Sequence, residues 1–163
     1  MKQYQTALFI GRFQPFHKGH LFSLLKCLEI AERVTIVVAK SNVSGTPDDP
    51  WDYKIRKMMV CAVVRTEGLE SKIERICSCP DDPSDKVWLG QIKKRAGKFD
   101  VVVSNNPWVL DLFKADGYIT VESGLYNRDE LEGVKIRALL RERDNVWKQR
   151  VPEAVIPLIT EQI

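Results

Sequence analysis

The sequence predicts an α/β fold: a single domain with a mostly parallel sheet of about five strands and helices on both faces. Three features lead there. Short apolar runs alternate with segments of 3.6-residue hydrophobic period along the whole chain. One of those runs, Val34-Thr35-Ile36-Val37-Val38, is continuously β-branched, as a strand buried on both faces would be. Residues rich in Gly, Pro, Ser and Asp punctuate the alternation at 11–19, 39–50 and 79–84.

Taken in order, Ala7, Leu8, Phe9 and Ile10 read as the first strand, ending at Gly11. Leu21, Leu24, Leu25 and Leu28 then mark the first amphipathic helix. The second strand is 34–38, followed by a polar loop to about residue 50. Trp51-Asp52 leads into a helix with Ile55, Met58, Met59 and Ala62 on its apolar side. Residues 73–77 form the third strand, and Val87, Trp88 and Ile92 mark the helix after it. The fourth strand is 99–103, and Pro107 suits the first turn of the next helix, where its missing N–H costs nothing. Residues 118–121 form the fifth strand and 122–132 a polar loop. Ile136, Leu139 and Leu140 begin a further helix, and Pro152 opens the last. With no repeat or linker, residues 1–163 read as one Rossmann-like domain. In such sheets ligands bind beyond the carboxyl ends of the strands, so the loops at Gly11, Ala39, Cys79, Ser104 and Glu122 should converge.

Composition narrows the function. The chain has 163 residues, 44% hydrophobic and 29% charged, with a net charge of +3. That is an ordinary globular balance. Lys93-Lys94-Arg95 reads as a solvated helix face, and no denser basic cluster suggests nucleic acid. The apolar runs fall well short of the ~20 residues of a membrane helix. Residues 1–6 lead straight into a strand without a signal-peptide pattern, so a cytoplasmic protein is expected. Cys27, Cys61, Cys77 and Cys79 show no CxxC spacing and read as reduced thiols rather than zinc ligands.

The chemistry concentrates in Gly11-Arg12-Phe13-Gln14-Pro15-Phe16-His17-Lys18-Gly19-His20. The only two histidines of the chain lie here, three residues apart. One histidine at a helix start can simply cap it. Two, with Arg12 and two glycines at a strand-to-helix turn, describe an anion site, because the first helical amides lack intrahelical partners. Phosphate chemistry is the expectation.

This stretch resembles the HxGH signature of the nucleotidyltransferase superfamily. Its longer form, GRFQPFHKGH, is similar to that of archaeal-type nicotinamide-mononucleotide (NMN) adenylyltransferases. The resemblance runs from Ala7 to about Pro152. It implies adenylyl transfer from ATP to NMN, giving NAD and pyrophosphate, with Mg²⁺ carried on the ATP phosphates and few or no protein ligands to it. It implies that His17, His20 and Arg12 are catalytic and contact the reacting phosphates. Gly11, Arg12, Phe13, His17, Gly19, His20, Asn106 and Arg137 would bind ATP. Arg56, which follows Asp49-Pro50-Trp51-Asp52 as an Arg follows the family's Asn-Pro-Phe-Thr, would hold the NMN phosphate. Asp81, Asp85, Trp88 and Lys40 would complete the acceptor site, with Trp88 stacked on the nicotinamide. Trp108 and Trp147 read as packing residues. Homo-oligomers are common among such proteins.

The chain also departs from that pattern. Glu132 and Val134 replace two hydroxyl residues that contact the triphosphate, Gly45 replaces a His, Asp85 an Asn and Lys40 a Ser. Asp85 would accept from a carboxamide and disfavour a carboxylate. These changes leave open a transferase of the same frame with another phosphate acceptor, such as phosphopantetheine. A nucleotide-binding regulator without catalysis stays open too.

Overall fold

In the computed structural model, which describes residues 1–124 and 126–161, the sheet contains β1 (Tyr4–Gly11), β2 (Ala31–Val38), β3 (Ile73–Ser78), β4 (Val101–Ser104) and β5 (Ile119–Glu122). All strand pairs are parallel, in the order β3-β2-β1-β4-β5. The chain builds outward from β1 through β2 to β3, then returns to lay β4 against the other side of β1. The order reverses between β1 and β4, which opens a crevice at their carboxyl ends. Gly11 ends opposite Val38, and Ser104 opposite Glu122.

Strand side chains alternate between two cores, as the two-residue period requires. Ala7, Phe9, Val34, Ile36, Val38, Val101 and Val103 face one core, with Leu24 and Cys27 of α1 (Lys18–Ile30) and Met59, Val60 and Val63 of α2 (Tyr53–Thr66). Ile136 of α6 (Gly133–Arg141) and Ile159 of α7 (Ile156–Thr160) complete it. Leu8, Val37 and Val102 face the other, with Trp88 and Ile92 of α3 (Asp85–Ala96) and Val109 and Phe113 of α4 (Pro107–Ala115). Helices therefore cover both faces.

Side-chain caps fix where the helices begin. Asp52 accepts from the Ile55 amide, Ser84 from Val87 and Asn106 from Trp108, with Pro107 in the first turn of α4. Several boundaries differ from the sequence reading, among them the start of β2 at Ala31 rather than Val34. Asp100 falls outside β4 because its carboxylate accepts from the Gln5 and Thr6 amides, turning a corner before the strand. The loop 122–132 contains a one-turn helix, α5 (Arg128–Leu131), with Asp129 and Glu130 at its positive end. Pro152 precedes a 3₁₀ turn, Glu153–Val155, and α7 starts only afterwards.

Phe113 is fully buried and meets Phe99 and Tyr118 edge-on, with ring centroids 6.0 and 5.7 Å away. Phe113→Ala should cost about 3–5 kcal/mol of folding stability, read as a fall in urea midpoint at unchanged slope.

Candidate active site

The first turn of α1 is closed by imidazoles. His17 is the N-cap, and its Nδ1 accepts from the Gly19 amide at 3.1 Å. His20 Nδ1 accepts from the His17 amide, also at 3.1 Å, so the two rings form a reciprocal capping box. A ring nitrogen that accepts carries no proton. In the neutral ring the proton therefore sits on Nε2, an assignment made from these bonds. The rings stack with centroids 3.7 Å apart. Burial, then the Arg137 charge, lower His17 to about 3 against a raising influence from Glu132; burial, then His17, hold His20 well below 6.5. At neutral pH the pair presents two uncharged Nε2–H donors.

The glycines give these rings room. A Cβ on Gly19 would stand 2.9 Å from the His17 ring, and one on Gly11 2.7 Å from the Phe13 ring. Phe13 is fully buried at φ 55, stacked on Phe16 and edge-on to His20. The motif's aromatic residues thus brace the histidine from below.

Cations gather opposite the rings. Arg137 is 8% exposed; its Nη1 donates to Gln14 O at 2.8 Å and its buried Nε has no hydrogen-bond partner. A Cβ on Gly133 would lie 2.8 Å from that Nη1, so the glycine permits the approach. Arg12 donates through Nε and Nη2 to Asp49 Oδ1 at 3.1 and 2.8 Å, and Nη2 reaches Asp48 O at 3.0 Å. Lys40, at φ 50, stands 3.8 Å from the other Asp49 oxygen. Burial lowers the pKa of Arg137, with Arg12 the next cause. The cluster is crowded with positive charge, and Asp49 is its counterweight.

Arg56, expected to hold the acceptor phosphate, sits behind the cleft wall. Its side chain is fully buried, and it donates to Arg12 O at 2.9 Å, Ala39 O at 2.7 Å, Lys40 O at 2.9 Å and Asp52 O at 3.2 Å. Those bonds tie the loop after β1 to the loop after β2. Four of its five N–H groups are given to main chain, and it lines neither part of the cleft. Gln14, which the sequence reading did not single out, fastens the same region: it donates to Trp51 O at 2.9 Å and accepts from Trp51 N at 3.1 Å.

The crevice has two lobes that share Ile10, His17, His20, Ser104, Asn106, Glu132 and Gly133. One lobe, about 470 Å³, adds Gly19, Ser23, Asn105, Gly124 and Tyr126. The other, about 550 Å³, adds Gly11, Arg12, Phe13, Lys40, Asp81, Trp88, Trp108 and Arg137. The structure therefore brings together every expected site residue except Arg56 and Asp85. Asp85 lies exposed on the first turn of α3, outside both lobes. Trp108, expected to pack, is instead 45% exposed on the cleft wall, whereas Trp147 is buried as expected. Among the described residues, no three His, Cys, Asp or Glu side chains are grouped to hold a metal, and no helix is long and apolar enough to cross a membrane.

A family profile described as cytidylyltransferase-like matches residues 8–142. A nicotinamide-nucleotide adenylyltransferase of Ignicoccus hospitalis is 34% identical over 95% of this chain and 91% of its own. Another, from Methanolobus tindarius, is 36% identical over 96% of this chain and 88% of its own. Among solved structures, a bifunctional NMN adenylyltransferase/ADP ribose pyrophosphatase of Francisella tularensis, complexed with AMP and a manganese ion, superposes with a TM-score of 0.73. It is 18% identical, and the match covers 97% of this chain and 52% of that one.

Two predictions follow from burial. Below about 6.5 the unfolded chain protonates His17 while the folded chain, with its value near 3, does not. Stability is then full above about pH 6.5 and falls toward pH 3, by up to ~1.4 kcal/mol per pH unit for each such ring. Urea titrations at pH 7.5 and 5 should show this slope, and His17→Asn should reduce it to the share that His20 contributes. Arg56→Ala leaves buried carbonyls without donors and should cost about 3–5 kcal/mol in the same assay.

Proposed function

The chain belongs to the cytidylyltransferase-like family and, within it, to the nicotinamide-nucleotide adenylyltransferases, and on that premise we propose that it transfers the adenylyl group of ATP to NMN. The products are NAD and pyrophosphate. The observation that carries this reading is the pair of neutral Nε2–H imidazoles, held by main-chain amides where the two lobes meet.

An oxygen of the NMN phosphate is itself the nucleophile. It forms a bond to the α-phosphorus of ATP as the bond from that phosphorus to the bridging oxygen breaks and pyrophosphate leaves. No covalent enzyme intermediate is needed, so the protein's work is alignment and stabilisation of charge. His17 and His20 donate to phosphate oxygens without first losing a proton. Their low proton affinity keeps them in this donor form across the physiological range.

Adenosine is assigned to the lobe of Gly19, Ser23 and Tyr126, and NMN to the lobe of Trp88, Asp81 and Lys40. Arg12 and Arg137 flank the shared region and suit the β- and γ-phosphates, since a guanidinium stays charged and offers a planar fork of donors. Arg137, with a buried Nε still unpaired, gains most from an incoming anion. Because Lys40 lines the acceptor lobe and Arg56 does not, the acceptor phosphate is assigned to Lys40. The cleft wall is rich in imidazole, guanidinium and ammonium donors, a set suited to phosphate. A divalent cation, Mg²⁺ in this reading, would accordingly ride on the triphosphate, where it supplies further neutralisation of phosphate charge. Asp81 on the wall of the acceptor lobe favours a carboxamide over a carboxylate on the pyridine ring.

Purified protein with Mg-ATP and NMN should release pyrophosphate and form NAD. Nicotinic acid mononucleotide and 4′-phosphopantetheine should be poor substitutes; release only with phosphopantetheine would move the acceptor. His20→Ala should slow turnover more than a hundredfold, matching about 2.7–4 kcal/mol for one preorganised donor, with the far-UV spectrum unchanged. A drop within about fivefold would remove His20 from the mechanism.

A further inference from the structure

We propose that Trp108 supplies the main aromatic surface for the acceptor's pyridine ring, with Trp88 as the buried support behind it; this rests on NMN being the acceptor. Four tryptophans are present, and Trp51, Trp88 and Trp147 are 6%, 4% and 3% exposed. Trp108 is 45% exposed, and both it and Trp88 line the larger lobe with Lys40 and Asp81. Exposure decides between them. A ring entering the lobe meets little of Trp88 and much of Trp108.

The geometry of the pair defines how a ring would stack. The Trp88 and Trp108 ring centroids are 4.8 Å apart with 46° between the planes. That spacing is already van der Waals contact and leaves no room for a third ring between them. The acceptor ring must therefore lie on the free side of Trp108. Trp88 holds Trp108 from behind and is itself braced edge-on by Phe113 at 6.2 Å. The backbone is fixed as well: the Trp108 amide donates to Asn106 Oδ1 at 3.0 Å, in the first turn of a helix opened by Pro107.

The chemistry of the pair selects a class of acceptor. NMN carries a flat, cationic pyridinium, and an indole face attracts both an aromatic ring and a cation. The uncharged, non-aromatic tail of phosphopantetheine gains neither. Trp108 is accordingly a specificity residue for the acceptor, without a part in the phosphate chemistry at the histidines.

The test is steady-state kinetics of wild type, Trp108→Leu and Trp108→Phe, together with acrylamide quenching of tryptophan emission. Trp108 is the exposed fluorophore, so its shielding by NMN is read directly and without turnover. Trp108→Leu should raise KM for NMN about tenfold, the lower range for loss of one aromatic stacking partner, with KM for ATP changed less than about twofold. Trp108→Phe should restore most of the affinity. NMN should shield wild-type emission from acrylamide, and that shielding should vanish in Trp108→Leu. An unchanged KM for NMN in the Leu variant, an equal rise in KM for ATP, or no shielding in wild type would overturn the inference while NAD formation stands. A wild-type protein that forms no NAD would instead overturn the acceptor assignment on which the inference rests.

Discussion

Four main-chain carbonyls converge on one guanidinium, and the rest of the site depends on that convergence. Arg56 takes the carbonyls of Arg12, Ala39, Lys40 and Asp52 and is wholly sealed from solvent. Burying a guanidinium is costly unless its donors are satisfied, and here four of the five are met by the segments that must be held in place. Burial lowers its proton affinity, and Asp49, the next cause, works in the opposite direction. The loops leaving β1 and β2 are thereby fixed relative to α2. Gln14 adds a second fastening through both polar atoms of its amide to Trp51. The turn from Gly11 to His20 is held in place because buried polar side chains bind backbone.

That rigidity explains how histidine can serve as a donor of fixed tautomer. Each ring has one nitrogen committed to a main-chain N–H, and the stacked pair shares a buried position against Phe13 and Phe16. Two charged imidazoles at that separation would repel each other and the nearby Arg137. The neutral state is the consequence of packing, and in the proposed reaction neutral donors would leave the charge of an incoming triphosphate for Arg12, Arg137 and Lys40 to balance. Asp48 and Asp49 temper this positive cluster, and Glu132 raises the proton affinity of His17. The wall is balanced, so its cations can be close together before any phosphate arrives.

Much of this was legible in the sequence, for physical reasons that can be stated. The β-branched runs gave the strands, and the cluster from Gly11 to His20 marked the turn, because a strand, small residues and a helix start make an anion site locally. The helix caps at Asp52, Ser84 and Asn106 are local too, although the sequence reading did not name them. What the sequence hid was decided by distant contacts. An Arg on an amphipathic helix gives no sign of whether it ends on a phosphate or on carbonyls, and Arg56 ends on carbonyls. Asp81 and Asp85 sit on one loop-to-helix junction, but Asp85 is turned out by the helix that Ser84 starts. Trp108 shared the pattern of a core aromatic because Val109 and Phe113 on the same short helix are core. Only the crevice between β1 and β4 reveals that the second residue of α4 faces a cavity.

The chain has only two histidines, so the state of each ring can be measured directly. Long-range ¹H–¹⁵N spectra of ¹⁵N-labelled protein at neutral pH report the protonation of each ring nitrogen, and His20→Gln assigns the two. Two neutral rings protonated on Nε2 are expected, with both Nε2 signals moving when Mg-ATP is added. A charged ring, a proton on Nδ1, or signals indifferent to nucleotide would contradict that expectation.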